Sequence, residues 1–269
     1  MPELPEVETI KRELEPHIIG KKITAVTVYD ARIVYPLSAS AFQGRITGQR
    51  IENLRRRGKY LIFQLSNSNR LVVHLRMSGA LLLNPPELLP HTRLVFHFDD
   101  GSELALTDRR RLGIVLLTDS EKPVEDRLGP EPLEPRFTVE EFANRLHRRR
   151  APIKAVLLDQ KVIAGIGNMY ADEALFQARI HPLHPAGDLS PEEIQRLYNA
   201  IREILCSAID YKGASVDTYQ RPGGELGTAH FNFNVAHCRG EPCNICGTPI
   251  QRLAIRNRGS YFCPNCQKY

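Results

Sequence analysis

The sequence contains no run approaching the ~18 consecutive apolar residues that a membrane-spanning helix needs. Its N-terminus also lacks a basic segment followed by an apolar one, so no signal peptide is predicted and we expect a cytoplasmic protein. Aromatic residues make up only 7% of the chain. No segment is rich enough in them to resemble the base-stacking strands of RNA-binding platforms, which argues against an RNA-binding or ribosome-associated protein.

The amino-acid composition is typical of a globular protein and has an excess of positive charge. Its 269 residues are 42% hydrophobic and 25% charged, and they suffice for two domains with a sizeable core. The net charge of +5 and the pI near 8.9 favour a polyanionic partner. One basic cluster would be read as solvated surface, but four along the chain favour contact with a phosphate backbone. They occupy residues 53–60, 108–113, 146–154 and 255–261.

The spacing of apolar residues and of turn residues divides the chain into segments with different predicted secondary structure. Val7, Ile10, Leu14 and Ile18 lie near helical spacing, and Gly20 follows as a stop. Short β-rich runs separated by turn residues then extend to about residue 117, which predicts a sandwich or barrel. We predict an α+β fold with an N-terminal β domain at 1–118, a proline-rich linker at 119–136, a helical domain at 137–228 and a cysteine-bearing tail at 229–269. The helical domain includes a glycine-rich loop at 213–227.

Four of the six cysteines lie in the tail with the spacing of a zinc site. Cys243, Cys246, Cys263 and Cys266 form two C-x2-C pairs sixteen residues apart, which suits a tetrahedral ion held by four thiolates. Disulfides or free thiols are the alternative, and they are disfavoured in a chain without a secretory signal. A segment this short cannot bury a hydrophobic core of its own, so the zinc ion would be structural and required for the segment to fold. Between the pairs, two short strands around residues 257–259 would place Arg258 at or near the tip of a hairpin.

A second candidate phosphate site precedes the pattern "NMYADEALF". Gly165 and Gly167 open this predicted helix at Asn168, and such a start exposes backbone N–H groups to an anion. A G-x-G alone is a weak signal, and a helix-packing corner is the alternative. Lys154 in the preceding helix and the zinc tail that follows favour a DNA contact.

The start "MPELPEVE" offers a nucleophile and two carboxylates. Removal of Met1 would leave Pro2 with a free secondary amine. An α-amino group has a pKa of about 7.7–8.0 against about 10.4 for lysine, so far more of it is unprotonated near neutral pH. Attack on a sugar carbon would give an iminium that drives elimination of neighbouring phosphates. Glu3 and Glu6 would then protonate the sugar oxygen and stabilise positive charge. A plain helix cap is the alternative.

Six motifs occurring in one order resolve this ambiguity. The motifs are "MPELPEVE", "RGKY" with Lys59, "HLRMSG" with His74 and Met77, "TDRRRLG" with Arg110 and Leu112, "IAGIGNMYADEALF", and the four-cysteine hairpin. Together they resemble the bacterial formamidopyrimidine-DNA glycosylase family, and the resemblance covers the whole chain. The related endonuclease VIII group usually opens with "PEGPE" where this chain has "PELPE", which favours the purine-repair branch.

The resemblance implies a monomeric DNA glycosylase and AP lyase of base excision repair that acts on 8-oxoguanine and formamidopyrimidines in double-stranded DNA. It implies an N-terminal β-sandwich with a flanking helix, a helix–two-turn–helix domain, and a zinc finger holding one structural zinc ion. Damaged bases must leave the duplex to react, and the gap must be filled. By this resemblance Pro2 is the nucleophile, Glu3 is the general acid and base, Glu6 is a supporting carboxylate, and Lys59 is a proton donor in β,δ-elimination. The residues implied to contact phosphates are His74, Asn168, Arg258 and, as a further candidate, Lys154. Those implied to fill the gap left by the damaged base are Met77, Arg110 and Leu112.

Three positions depart from the family pattern. Leu112 stands where an aromatic wedge is usual, so stacking is lost at that position. Asp217 replaces an arginine often found in the loop at 213–227, which the family closes over the flipped base. Arg179 stands where glycine is common. The competing hypotheses are an endonuclease VIII-like glycosylase for oxidised pyrimidines and a non-catalytic DNA-binding zinc protein, which would bind DNA without cleaving it.

Overall fold

The computed structural model describes residues 1–269 and divides them into two compact units. The first unit comprises Met1–Asp126 and Tyr211–His230, and the second comprises Arg127–Asp210 and Phe231–Tyr269. None of the helices combines the length and the apolarity needed to cross a bilayer.

The first unit contains two four-stranded antiparallel sheets and confirms the predicted sandwich with a flanking helix. One sheet has the order β1-β6-β7-β5 and the other has the order β2-β3-β4-β8. Side chains from both sheets and from α1 share one core. The elements are α1 (Leu4–Ile18), β1 (Ile23–Val28), α2 (Ala39–Ile46), β2 (Ile51–Arg57), β3 (Tyr60–Leu65), β4 (Arg70–His74), β5 (Gly79–Leu83), β6 (Thr92–Phe98), β7 (Glu103–Asp108), β8 (Ile114–Thr118) and α3 (Lys122–Glu125).

Helix α1 follows the predicted pattern closely. Val7, Ile10, Leu14 and Ile18 are all buried, and they form the face that packs on the sandwich. Proline lies in the first turn, where its missing N–H costs no helical hydrogen bond. The chain then leaves the helix through Gly20, whose φ of +82° favours glycine.

The glycine-rich loop at 213–227 lies in the first unit, whereas the sequence analysis placed it with the helical segment. The reason is packing, because Tyr219 is buried in the core of the sandwich. Gly213 has a φ of +79°, and a Cβ there would come within 2.9 Å of the Glu6 Cγ. At the other end of the loop, a Cβ on Gly227 would lie 2.3 Å from the Gly213 carbonyl oxygen. The two glycines therefore allow the two ends of the loop to meet.

The second unit consists of helices and a two-stranded hairpin. At the start of its long helix the Ser190 hydroxyl accepts a hydrogen bond from the Glu193 amide. The helix that follows the two glycines begins at Asn168, as predicted. The elements are α4 (Val139–Leu146), α5 (Ile153–Leu157), α6 (Asn168–Ala178), α7 (Pro191–Asp210), β9 (Gln251–Ile255) and β10 (Arg258–Phe262).

One detail of the second unit differs from the sequence expectations, and a second concerns a position that departs from the family pattern. The tail hairpin turns at Arg256 and Asn257, which both have positive φ, rather than around residues 257–259. Arg258 is consequently the first residue of β10. Arg179 ends α6 with a φ of 59° in the left-handed region, which explains why glycine suits this position.

Candidate active site and nucleic-acid interface

The N-terminus of α1 brings the two predicted carboxylates together. Glu3 is the N-cap residue, and its backbone N–H donates to the Glu6 Oε2 at 2.7 Å. The other oxygen of Glu6 accepts from the Ala214 amide at 2.8 Å. Both glutamates are buried, and so is Pro2 directly before them. Glu6 therefore joins the start of the chain to the first residues of the 213–227 loop.

Lys59 and His74 form a second group in the first unit. Lys59 is buried in the two-residue turn between β2 and β3, which Gly58 enters with a positive φ. His74 ends β4, and burial, together with the positive charges of Arg76 and Lys59, lowers its pKa to about 3. Its Nδ1 accepts from the Arg76 amide at 3.0 Å. The neutral ring must then carry its proton on Nε2, which makes that nitrogen a hydrogen-bond donor.

Met77 and the segment containing Arg110 and Leu112 lie on two loops that share one buried carboxylate. Asp108 Oδ1 accepts from the Ser78 hydroxyl at 2.5 Å and from the Arg110 amide at 3.1 Å. Its Oδ2 accepts from the Leu112 and Gly113 amides, each at 2.7 Å. Burial would raise the pKa of Asp108, but these hydrogen bonds outweigh it and hold the pKa below its usual range.

The carboxylate of Asp108 orders the backbone of the loop that follows it, while the side chains of Arg110 and Leu112 remain exposed to solvent. Arg110 is exposed, and Leu112 keeps 44% of its surface accessible. Met77 is half-buried, and its carbonyl accepts from the Thr218 hydroxyl at 3.2 Å. This arrangement presents a flexible apolar side chain, an arginine and a leucine from a rigid base.

In the second unit, Asn168 links helix α6 to the tail hairpin. Its Nδ2 donates to the Gly259 carbonyl at 2.9 Å, and its own carbonyl accepts from the Lys154 Nζ at 3.1 Å. Lys154 is fully buried and is paired with Asp172, so a phosphate contact would require this ion pair to open. Arg258 is exposed beside the turn of the hairpin. The structure thus places Asn168 and the start of β10 together, with Lys154 beneath them.

The four tail cysteines form a compact cluster that fits one zinc ion. Their sulfur atoms all lie within 4.8 Å of one another. The Cys243–Cys266 sulfurs are 3.9 Å apart, and the Cys246–Cys263 sulfurs are 3.5 Å apart. A tetrahedral ion with Zn–S bonds of ~2.3 Å has sulfurs about 3.8 Å apart, which agrees with both distances. The ion would be structural, since four ligands leave no open position.

Comparison with known proteins extends these observations to the whole chain. Residues 1–115 match the formamidopyrimidine-DNA glycosylase N-terminal domain, residues 128–220 match its H2TH domain, and residues 240–268 match the zinc finger found in FPG and IleRS. The formamidopyrimidine-DNA glycosylase of Symbiobacterium thermophilum is 44% identical to this chain, over 99% of this chain and 89% of its own length. The chain belongs to the formamidopyrimidine-DNA glycosylase family.

Solved structures of Lactococcus lactis family members share this fold. The structure of an L. lactis FPG mutant in complex with a Fapy-dG containing DNA matches this chain with a TM-score of 0.93 and 36% identity, over 100% of both chains. The L. lactis Fpg in complex with an abasic site containing DNA has a TM-score of 0.92 and 36% identity over 99% of this chain and 100% of that one. The family's helix–two-turn–helix domain corresponds to the helical part of the second unit, and its zinc finger corresponds to the four-cysteine hairpin.

Two acidic residues that the sequence analysis did not select organise this family fold. Asp108 accepts the hydrogen bonds, described above, that order the two loops containing Met77 and Leu112. Glu173 is buried in α6, and its carboxylate accepts backbone N–H groups of Asn234, Val235 and Ala236 at 2.8–3.0 Å, at the entry to the zinc finger. The available signal for Glu173 was a pair of adjacent carboxylates, Asp172 and Glu173, in a helix that is mostly apolar. Asp108 had no comparable signal, because one of its partners, Ser78, lies thirty residues earlier in the chain.

Proposed function

We propose that this protein is a bifunctional DNA glycosylase and AP lyase of base excision repair. Its substrates would be 8-oxoguanine and formamidopyrimidines in double-stranded DNA. The observation that supports this proposal most strongly is at the N-terminus of α1. There the backbone N–H of buried Glu3 donates to the carboxylate of buried Glu6, directly after Pro2 in the chain. Membership of a family whose solved members hold Fapy-dG and abasic-site DNA supports the substrate class.

The chemistry begins with removal of Met1, because the Pro2 nitrogen is an amide until then. The freed amine attacks C1′ of the damaged nucleotide and the base leaves with its bonding electrons. The C1′–O4′ bond then breaks as Glu3 protonates the ring oxygen, which gives the protein–sugar iminium, and Glu6 holds the Glu3 backbone in place. The iminium acidifies the C2′ proton, which Glu3, now a carboxylate, accepts, and the resulting enamine expels the 3′ phosphate. Loss of the C4′ proton expels the 5′ phosphate in the same way, and Lys59 is the proton donor to the leaving phosphates.

Each of the two units supplies hydrogen-bond donors for DNA contacts. His74 offers a neutral Nε2–H, and Asn168 and Arg258 offer an amide and a guanidinium to phosphates of the damaged strand. Met77, Arg110 and Leu112 fill the gap that the flipped base leaves, with Arg110 toward the orphaned base. We place this activity in the bacterial cytoplasm, and the protein acts as a monomer.

The proposal is tested by strand cleavage with two variants of Pro2. Pro2→Gly keeps an N-terminal amine once Met1 is removed, and some cleavage should remain. Pro2→Leu keeps Met1 attached and moves the amine by one residue, so cleavage should fall at least ~100-fold while DNA affinity stays within about threefold. Cleavage by Pro2→Leu at the wild-type rate would refute the proposal.

Substrate comparison tests the lesion class separately. The wild-type protein should process 8-oxoguanine opposite cytosine faster than an oxidised pyrimidine in the same sequence context. The reverse order would assign the chain to the pyrimidine-specific branch. DNA binding without cleavage of any substrate, abasic sites included, would indicate a non-catalytic protein.

A further inference from the structure

Two carboxylates of helix α1 fix the 213–227 loop at two points. Glu6 accepts from the Ala214 amide at 2.8 Å. Glu13 Oε1 accepts from Arg221, through Nε at 2.8 Å and Nη2 at 2.6 Å. Glu6 and Glu13 are seven residues apart, so they leave the same face of the helix about 10 Å apart along its axis. The helix that begins at the predicted catalytic glutamate Glu3 therefore also sets the position of the loop.

The loop segment between these two anchors lies next to the predicted gap-filling residues. Thr218 donates to the Met77 carbonyl at 3.2 Å, while Val216 and Asp217 are exposed. Only this segment of the loop contacts the Met77 backbone by a side-chain hydrogen bond. A displacement of the loop would therefore move the exposed residues away from Met77.

The two anchors differ in how easily they can open. The inner anchor is buried, since Gly213 packs against Glu6 and Tyr219 lies in the core. At the outer anchor the side chains of Glu13 and Arg221 keep 22% and 24% of their surface exposed, and both line a cleft of about 400 Å³. An ion pair in contact with solvent contributes little energy and is screened by salt, so it can open and close during turnover.

We propose that the Glu13–Arg221 ion pair is a latch that positions the 213–227 loop for selection of the damaged base. This inference rests on the proposed function, in which the loop covers the extruded base. A latch of this kind acts on excision of an intact lesion. It leaves cleavage of an abasic site unaffected, because that substrate has no base for the loop to cover. Glu13 and Arg221 are thus positioning residues and do not contact the reacting atoms.

The test compares two substrates, one with 8-oxoguanine and one with an abasic site, under steady-state conditions with substrate in excess. Glu13→Gln and Arg221→Gln should each lower kcat/KM for the 8-oxoguanine duplex by roughly 3–10-fold, mostly through KM, with abasic-site cleavage unchanged. The swapped pair Glu13→Arg/Arg221→Glu should restore at least half of the loss. Glu15→Gln is the matched control, because Glu15 is on the same helix and pairs only with the neighbouring Lys11.

A fluorescence measurement reports the loop directly. The chain has no tryptophan, so Val216→Trp supplies a single reporter in the exposed part of the loop. In this background, Glu13→Gln should increase acrylamide quenching at low salt, and the swapped pair should reverse that increase. For the wild-type pair, quenching should rise with added salt toward the Glu13→Gln value.

The outcomes separate the latch from the proposed function. Equal losses on both substrates, or unchanged quenching with unchanged excision in Glu13→Gln, would overturn the latch even if the wild-type protein is an active glycosylase. A swapped variant that keeps the wild-type melting temperature but regains no selectivity would also overturn it. A wild-type protein that cleaves neither substrate would instead refute the proposed function.

Discussion

The carboxylate of Asp108 should carry a large share of the order in the loops around Met77 and Leu112. Asp108→Asn removes the charge and replaces one oxygen by an NH2 group, which cannot accept a hydrogen bond. If that group replaces Oδ2, the amides of Leu112 and Gly113, now 2.7 Å from that oxygen, both lose their acceptor. If it replaces Oδ1, the Ser78 and Arg110 bonds are affected instead.

The first orientation loses two hydrogen bonds and weakens two others. In the second, the Ser78 hydroxyl can turn to accept from the NH2 group, so only the Arg110 bond is lost. At about 1–2 kcal/mol for each lost bond to a charged acceptor, the free energy of unfolding should fall by about 1–4 kcal/mol. This corresponds to a decrease in melting temperature of roughly 3–12 °C for a unit of this size. Because hydrogen bonding lowers the pKa of Asp108 in the folded protein, the stabilisation is complete above its unfolded pKa of about 3.9 and is lost as the pH falls through the lowered value.

Thermal unfolding followed by circular dichroism from pH 3 to pH 8 measures this effect. Asp119→Asn, at an exposed aspartate of the same unit, serves as the control and should change the melting temperature by less than about 2 °C. A variant at Asp108 as stable as the wild-type protein at pH 7 would refute the assignment of this carboxylate as the hub of the loops. A stability difference that grows on acidification below pH 4 would do the same.

Three further predictions concern the other parts of the site. Cys246→Ser should reduce the zinc content from one ion per chain to near zero and weaken DNA binding at least ~10-fold, and retained zinc by elemental analysis would contradict the four-thiolate site. The ring resonances of His74 should not titrate between pH 5 and 8, because its pKa is lowered to about 3, and an NMR midpoint near 6.5 would contradict its neutral state. Lys154→Met should cost about 3–5 kcal/mol of unfolding free energy by leaving Asp172 buried without its cation, and Lys154→Met/Asp172→Leu should recover at least half in denaturant titrations.

The features that sequence predicted well are local ones. The apolar spacing of α1, the glycines before Asn168 and the two C-x2-C pairs depend on residues close together in the chain, so their patterns carry the structure directly. The β-rich region was recognised as a series of short runs, but the bounds of β2 were not predicted. Strand β2 contains three consecutive arginines, which conceal its alternation between buried and exposed residues.

The features that sequence missed depend on distant residues. Lys154 was selected for its charge, and only the fold reveals that Asp172, eighteen residues later, neutralises it in the interior. The ion pair between Glu13 and Arg221 joins residues 208 positions apart, so no local pattern could indicate it. The loop at 213–227 was assigned to the neighbouring helical segment because nothing in its composition shows that Tyr219 enters the sandwich core.

In the proposed mechanism the Pro2 amine forms a covalent bond with the sugar of a damaged nucleotide. Borohydride reduction of the protein on a duplex with one 8-oxoguanine opposite cytosine, followed by peptide mass mapping, detects this bond. We expect a stable protein–DNA adduct on an N-terminal peptide that lacks Met1 and is modified at Pro2. The absence of an adduct on this duplex and on an abasic-site duplex, from protein that contains zinc and binds DNA, would contradict this mechanism.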